Sequence, residues 1–437
     1  MTYISCHQKQ RCRMTRISVF TPSHRPTFLN ECFDSLVAQT YSDWEWVVVM
    51  NNGANWHPPV ADPRVRVLQN HDLHGVGAAK RYACDQTRGE ILVELDHDDL
   101  LATRALEEVV KAFDANPEIG FIFSQFAQIN EDGSRNDAQF NAAHGWTYRE
   151  VDVDGVTYLQ CDAMLPYPQN VSYIWYAPNH LRAFRKTTYD AAGGYNPELT
   201  VLDDQDLMCR LFQHTAFHLI DQCLYLQRVH SSNTQSDPMI NQAIQTDTVA
   251  LYDSYVESNA LAWAKREGLF ALDLGAAHNK HPQYVGVDQY ERPGVDIVTD
   301  VTKGIPLPDN SVGVIRACDF LEHIPDKVTL FNELYRVLAH GGLLLSLTPS
   351  SDGRGAFQDP THVAYYNENS FWYFTDRNYA NFVPQIACRF QVSRLVTFFP
   401  SDWHQQHNIP YVNANLIAIK DGPRQGGIVS WAHGEAE

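Results

Sequence analysis

Twice along this chain, short apolar runs alternate with stretches of helical period, and that rhythm leaves few folds open. Between residues 16 and 120, RISVFTP, WEWVVVM, RVRVLQN and EILVELD read as strands, with TFLNECFDSLVAQT and GAAKRYACDQT as amphipathic helices between them. Strands alternating with helices build a parallel sheet covered on both faces, and such sheets bind ligands beyond the carboxyl ends of their strands. The loops TPSHRP, NNGANW and DHDD all follow strand ends, so they converge on one rim. The rhythm loosens from 120 to 235. DTVALYDSYVESNALAWAKREG then reads as a helix closing at Gly268, and LFALDLGAA opens a second series. That series continues through QYVGVDQY, DIVTDV, VGVIRACDFLEH, the helix KVTLFNELYRVLAHGG and LLLSLTPS. The predicted class is α/β, with domains over 16–235 and 268–430 joined by a helical linker at 236–267.

A formal net charge of −19 opposes a nucleic-acid surface, which needs a basic field. It leaves room for an anionic small ligand, because a bound divalent cation supplies positive charge locally. Nine cysteines lie scattered with no CxxC pair, which indicates neither a zinc site nor a disulfide framework and fits a reducing compartment. No apolar run approaches the ~18–20 residues that cross a bilayer. The opening MTYISCHQKQRCRMTR lacks the apolar core of a secretory signal and reads as a loose tail, with Met14 as an alternative start. The expectation is a cytoplasmic protein without an integral membrane segment; its oligomeric state is left open.

The stretch ILVELDHDDL (91–100) puts three carboxylates into four positions behind a buried strand. Like charges gathered there repel, and burying them is costly unless a cation joins them. An Asp-x-Asp on a fixed turn can hold a hard divalent ion through oxygen and leave positions open for a diphosphate. The plainer alternative is a solvated acidic loop whose Asp caps the following helix TRALEEVVKAF. A second acidic group, VLDDQDL (201–207), offers a general base or simply an acidic first turn favoured by the helix dipole.

Three segments in this order and spacing, ISVFTPSHRPTFLNECFDSLVAQTYSDWEWVVVMNNG, GVGAAKRYACDQTRGEILVELDHDD and GGYNPELTVLDDQDLMCRL, resemble glycosyltransferase family 2 over roughly 16–235. The resemblance implies the GT-A nucleotide-sugar-binding fold. It implies that Thr21, Arg25 and the Asn51–Asn52 turn line the nucleoside pocket, that Lys80 lies near the diphosphate where the family usually has Arg, and that Asp96 approaches the ribose. It makes Asp98 the ligand of Mn²⁺ or Mg²⁺, with His230 completing the metal shell, and Asp204 the catalytic base of an inverting single displacement onto a saccharide acceptor. Asn51–Asn52 stands where the family usually carries an aspartate facing the base, so the base is less determined; uridine is the expectation. Trp175, Tyr176, Asn179 and His180 are read either as acceptor-site residues or as ordinary core.

ALDLGAAHNKHPQYVGVDQY, DIVTDVTKGIPLPDNSVGVIRACDFLEHI and ELYRVLAHGGLLLSLTP resemble class I S-adenosylmethionine-dependent methyltransferases over roughly 268–375. That resemblance implies a Rossmann-like domain in which Gly275 lets backbone approach the cofactor, Asp288 holds its ribose and Asp300 meets the adenine. Two departures stand out: a single glycine in GAAHNKH, and too few residues before Asp288 for a full first helix. The loop 353–374 faces the methyl acceptor in such folds, so Asp359 and His362 are read as the general base for O-methylation, or else as a turn and a buried histidine. Together the halves imply a bifunctional enzyme of polysaccharide biosynthesis, with a nucleotide-sugar donor, a saccharide acceptor and S-adenosylmethionine. The alternative is a glycosyltransferase whose second domain is a non-catalytic binding or dimerisation scaffold.

Overall fold

The computed structural model describes residues 15–142, 145–173, 177–231, 233, 237–276 and 280–420. Among these, ten strands form one sheet: β1 (Ile17–Ser23), β2 (Trp44–Met50), β3 (Val65–Gln69), β4 (Ile91–Glu94), β5 (Leu100–Leu101), β6 (Phe121–Asn130), β7 (Tyr148–Val153), β8 (Val156–Cys161), β9 (Arg182–Arg185) and β10 (Phe217–Val229). Their order is β3-β2-β1-β4-β9-β6-β10-β5, with the β7–β8 hairpin hung on β6. The first four are parallel, and β9 runs antiparallel to both β4 and β6.

Side-chain alternation sorts this sheet into two cores. Trp44, Trp46, Val48 and Met50 face α1 (Leu29–Val37), while Val47 and Val49 face the other way, toward α2 (Val76–Asp85). Helix α1 buries Leu29, Cys32, Phe33 and Leu36, the i, i+3, i+4, i+7 stripe of an amphipathic helix. Further along come α3 (Ala105–Ala115), α4 (Pro168–Tyr173), α5 (Lys186–Ala191) and α6 (Asp203–His214). The β7–β8 hairpin was not anticipated. Its signal was the Asp154–Gly155 pair, both at positive φ (54° and 85°), as a two-residue hairpin turn requires.

The predicted linker is a structural element of both halves. Helix α7 (Pro238–Arg266) starts nine residues before the predicted helix, capped by the Asp237 carboxylate accepting from the Met239 and Ile240 amides. Its Trp263 joins the core beneath α6, while Tyr252, Val256, Ala260 and Ala264 cover one face of the second sheet. Polar ties run both ways. Asn259 Nδ2 donates to Ser172 Oγ (2.8 Å) and Tyr255 Oη to Asp206 (2.8 Å) on one side; Tyr252 Oη meets Ser393 Oγ (2.6 Å) on the other.

The second sheet holds β11 (Phe270–Leu274), β12 (Val285–Asp288), β13 (Ile297–Val298), β14 (Val312–Cys318), β15 (Leu338–Pro349), β16 (Phe390–Phe398) and β17 (Tyr411–Ala418), in the order β13-β12-β11-β14-β15-β17-β16. Five strands are parallel and the last two antiparallel. Helix α8 (Lys327–Val337) packs Leu330, Phe331, Leu334 and Val337 on the face opposite α7. The sequence reading carried α8 through Gly342; instead the chain turns extended at Leu338 and β15 begins there. Between β11 and β12 the described residues hold no helix.

Candidate active sites

In the first sheet the strand order reverses between β1 and β4, and a cavity of about 620 Å³ opens beyond their carboxyl ends. This is where an open α/β sheet leaves a crevice. Arg25, Asn51, Asn52, Lys80, Asp96, Asp98 and Asp204 all line it. Thr21 does not. It is fully buried, its hydroxyl donating to the Leu95 carbonyl (2.7 Å) and accepting from the Trp46 indole N–H (2.8 Å). The nucleoside-lining role expected of Thr21 is corrected to a link between β1, β2 and the end of β4.

The acidic stretch 96–99 divides its labour. Asp99 is tied down, its Oδ1 accepting from the Arg228 amide at 2.7 Å. The fully buried Arg228 side chain donates from Nε to the Asp98 carbonyl (2.8 Å) and from Nη2 to Glu31 (2.6 Å), which fastens the loop. No carboxylate caps α3, whose first turn follows Arg104 without a side-chain cap. Asp98 Oδ2 lies 2.9 Å from His230 Nε2, so the end of β10 brings the two expected metal ligands side by side. Asp96 Oδ2 stands 3.5 Å from His180 Nε2. Burial, reinforced by the charges of Glu94 and Asp98 against the pull of Lys80, raises the Asp96 carboxyl to about 7.

Two buried cations hold the opposite wall. Lys80 Nζ lies 2.5 Å from Glu94 Oε1 and 3.2 Å from Asp203 Oδ2. Arg182 Nη1 lies 2.8 Å from Asp204 Oδ2 and 3.5 Å from Glu94 Oε2. Burial alone would raise Glu94, but Lys80 and Arg182 outweigh it and hold Glu94 below the ordinary carboxylate range. Asp203 goes the other way, to about 6, because burial exceeds the help from Lys80. Leu202, just ahead of α6, sits at φ 57°, a left-handed conformation costly for a branched residue, and it turns Asp203 and Asp204 toward the two cations. The sequence reading missed Arg182 and Asp203; only the pairing of β9 with β4 reveals that HLRAFRK carries the cation facing Glu94.

Asn51 spends both ends of its amide on the turn, Oδ1 accepting from the Asn52 amide (2.7 Å) and Nδ2 donating to the Leu73 carbonyl (3.2 Å). Asn179 and His180 line the cavity, and Trp175 and Tyr176 lie outside the described residues. Among the lining residues, Asp96, Asp98, Asp99, Asp203 and Asp204 face Arg25, Lys80, Arg182 and Arg228, with Glu94 behind them. Acid exceeds base, burial pushes three carboxyls upward (Asp96, Asp99 and Asp203), and Asp98 carries a histidine beside it. Those donors fit a divalent cation of the Mn²⁺ or Mg²⁺ class.

In the second sheet the reversal falls between β11 and β14. Gly275, Asp288 and Asp300 follow β11, β12 and β13, so three neighbouring strands deliver them to one rim. Gly275 has φ 69°, and a Cβ there would meet the Phe320 ring at 2.9 Å, so the backbone is open only because no side chain intervenes. That glycine and the strand-end Asp288 fit a cofactor laid along the rim. Asp300 caps the turn Val301–Lys303, its carboxylate accepting from the Thr302 amide (3.1 Å) and hydroxyl (2.7 Å) and pairing with Lys303 (3.1 Å). Asp359 is corrected. Its exposed carboxylate accepts from the Thr361 hydroxyl (2.6 Å) and amide (2.8 Å), bonds that lower its proton affinity and make it a poor base. His362 is half-buried beside Glu322, its Nδ1 3.0 Å from the Ala356 carbonyl.

Two α/β sheets, each with polar residues gathered where the strand order reverses, make up the described part of the chain. Residues 18–172 match the model of glycosyl transferase family 2, and residues 261–346 match that of a methyltransferase domain. The chain thus joins a region similar to glycosyl transferase family 2, in its first sheet, to a methyltransferase-like domain in its second. The first match stops short of Asp204 and His230, and the second begins inside α7 and ends before His362.

O-antigen biosynthesis protein RfbC of Myxococcus xanthus is 27% identical over 227 residues, 49% of this chain and 16% of that protein. Chondroitin synthase of Pasteurella multocida is 22% identical over 259 residues, 55% of this chain and 24% of its own. The chain thus spans about a quarter or less of these relatives. A probable S-adenosylmethionine-dependent methyltransferase of Mycolicibacterium smegmatis is 37% identical over 75 residues, 16% of this chain and 29% of that protein. Staphylococcus aureus TarS 1-349 in complex with UDP-GlcNAc is similar at a TM-score of 0.41 and 15% identity, covering 58% of this chain and 72% of that one.

No helix among the described residues is long and apolar enough to cross a membrane.

Proposed function

We propose that the first half transfers a sugar from a nucleotide-sugar, with uridine as the base, to a saccharide hydroxyl with inversion. In this reading the second half methylates a hydroxyl of the same glycan. The observation that carries the reading is one cavity lined by Lys80, Arg182, Asp204 and Asp98, with His230 lying 2.9 Å from the Asp98 carboxylate. The names of the O-antigen and chondroitin relatives support a polysaccharide product. Uridine rests on the family resemblance.

Asp98 and His230 would hold Mn²⁺ or Mg²⁺, which would offset the charge on the departing diphosphate. Arg182 orients the Asp204 carboxylate, which takes the proton of the acceptor hydroxyl as its oxygen bonds to the anomeric carbon. The bond to the diphosphate oxygen breaks on the opposite face. In the second half, Gly275 and Asp288 would bind S-adenosylmethionine, which supplies an electrophilic methyl group. Fusion raises the effective concentration of the glycosylated intermediate at the second site. A second reading, in which the methyltransferase domain is a scaffold, draws support from the absence of a helix among the described residues between β11 and β12 and from the domain's packing on α7.

Calorimetric titration with UDP and Mn²⁺, then with S-adenosylmethionine, tests both. The proposal expects metal-dependent UDP binding that Asp98→Ala abolishes, and cofactor binding that Asp288→Ala abolishes. UDP binding indifferent to metal would overturn the first mechanism; absent cofactor binding would leave the scaffold.

A further inference from the structure

The second half contains a group of ligating side chains that the cofactor-binding rim does not use. Glu322 and His323 lie in the turn Leu321–His323 that follows β14, and His362 comes from the stretch beyond β15. One ligand atom from each of the three lies within 4.8 Å of the other two. His362 Nε2 stands 3.9 Å from Glu322 Oε1, too far for a hydrogen bond. It is a natural separation for two ligands of one ion, since donors at ~2.1 Å from a shared metal lie about 3 to 4 Å apart.

Two further features point inward to the same spot. Glu322 is 1% exposed; its Oε2 accepts from the Thr348 hydroxyl at 2.6 Å, while its Oε1 has no hydrogen-bond partner among the described residues. A buried carboxylate oxygen left bare costs about 1–3 kcal/mol or more, which a cation would remove. Both imidazoles are also anchored through Nδ1, that of His362 at 3.0 Å from the Ala356 carbonyl and that of His323 at 3.2 Å from the Thr361 carbonyl. Donation of Nδ1–H to a carbonyl leaves the Nε2 lone pair for a metal and fixes the ring's direction, the usual support of a ligating histidine. The two rings pack edge to face with their centroids 5.1 Å apart.

We propose that Glu322, His323 and His362 form a second, independent metal site for a divalent transition-metal cation. Two nitrogens and one carboxylate suit Zn²⁺, Mn²⁺ or Fe²⁺ better than Ca²⁺ or Mg²⁺. Three protein ligands leave at least one position open, as in catalytic rather than structural sites. The site follows β14 directly, next to the Phe320 ring that abuts Gly275, so an oxygen ligand in the open position would lie on the cofactor side of the rim. The ligand class is a substrate hydroxyl, whose acidity the ion would raise. This last role rests on the methyltransferase reading; the ion site does not. It also gives His362 a task other than proton abstraction.

The test uses the full chain carrying Asp98→Asn, which removes the Asp–His pair of the first half. Co²⁺ is titrated in and read by its visible d–d absorption, and bound metal is counted after dialysis. One Co²⁺ per chain with a nitrogen-ligated spectrum, displaced by Zn²⁺, is expected. His323→Gln and His362→Gln should each weaken it at least tenfold while leaving the melting temperature in the absence of metal unchanged. Absence of Co²⁺ binding to the Asp98→Asn chain overturns the proposal whether or not the histidine variants fold, and so does binding that survives both. A bound ion together with intact S-adenosylmethionine binding but no methyl transfer would keep the site and remove only its role on the acceptor.

Discussion

Arg182→Met is the perturbation that tests most directly how the donor cavity is held. The guanidinium is 3% exposed and lies 2.8 Å from Asp204 and 3.5 Å from Glu94, with Nε donating to the Pro178 carbonyl at 3.1 Å. At an effective dielectric constant of about 20 the two attractions amount to roughly 6 and 5 kcal/mol before desolvation is subtracted. Removing one partner of a buried ion pair typically costs about 3–5 kcal/mol, because the other charge stays behind. Two circumstances put this case at the lower end. Glu94 retains Lys80 at 2.5 Å, and the Asp204 side chain is 19% exposed and can take up water. The expected loss is therefore about 3 kcal/mol. Hydrogen exchange resolved by peptide is the suitable assay, since it locates the loss on β4, β9 and α6 rather than averaging over both halves. Adding Glu94→Gln removes the stranded charge and should restore about 1–2 kcal/mol. If Arg182→Met exchanges like the wild type, or if the double variant is no better than the single one, the balance of charges described above is wrong.

Three further outcomes follow from the same geometry. Thr21→Val should lower stability by about 1–3 kcal/mol through the stranded Trp46 indole, with UDP affinity in the presence of Mn²⁺ unchanged by calorimetry; a weakened nucleotide would return Thr21 to the pocket wall. Gly275→Ala should destabilise the second half by about 1–2 kcal/mol, the cost of a left-handed non-glycine residue, with its Cβ also meeting Phe320 at 2.9 Å; an unchanged denaturation midpoint would contradict it. Glu94 is held below its unfolded value, so its contribution to stability is complete above about pH 4.3 and is lost as pH falls through the folded value. Denaturation between pH 6 and 3 should accordingly be steeper for the wild type than for Glu94→Gln, and parallel profiles would contradict that sign.

What the sequence disclosed was what local chemistry encodes. Strand ends marked by Pro, Asn-Gly and Asp clusters located both rims, and Asp98 with His230 is a pair that family spacing anticipates and the fold brings to 2.9 Å. Partners set by strand order were not legible. Arg182 meets Glu94 only because β9 inserts antiparallel beside β4, a connection for which HLRAFRK carries no mark. Thr21 and Asp359 show the opposite failure: a suitable residue type in a suitable loop, already satisfied by Trp46 and Leu95 in one case and by Thr361 in the other. The first turns of α7, MINQAIQTD, are too polar to announce themselves; Asp237 and Pro238 were the readable start signal.

Helix α7 also decides how this chain can be divided. Trp263 completes a core of the first half, while Tyr252, Val256 and Ala260 close the second. A cut on either side of the helix strips one half of its lid and leaves the other wearing an unmatched apolar face. The two sheets therefore melt as neighbours sharing a wall. A nucleotide that tightens the first half would slow exchange in β14 and β15 of the second without touching them, because fraying α7 from either side loosens both.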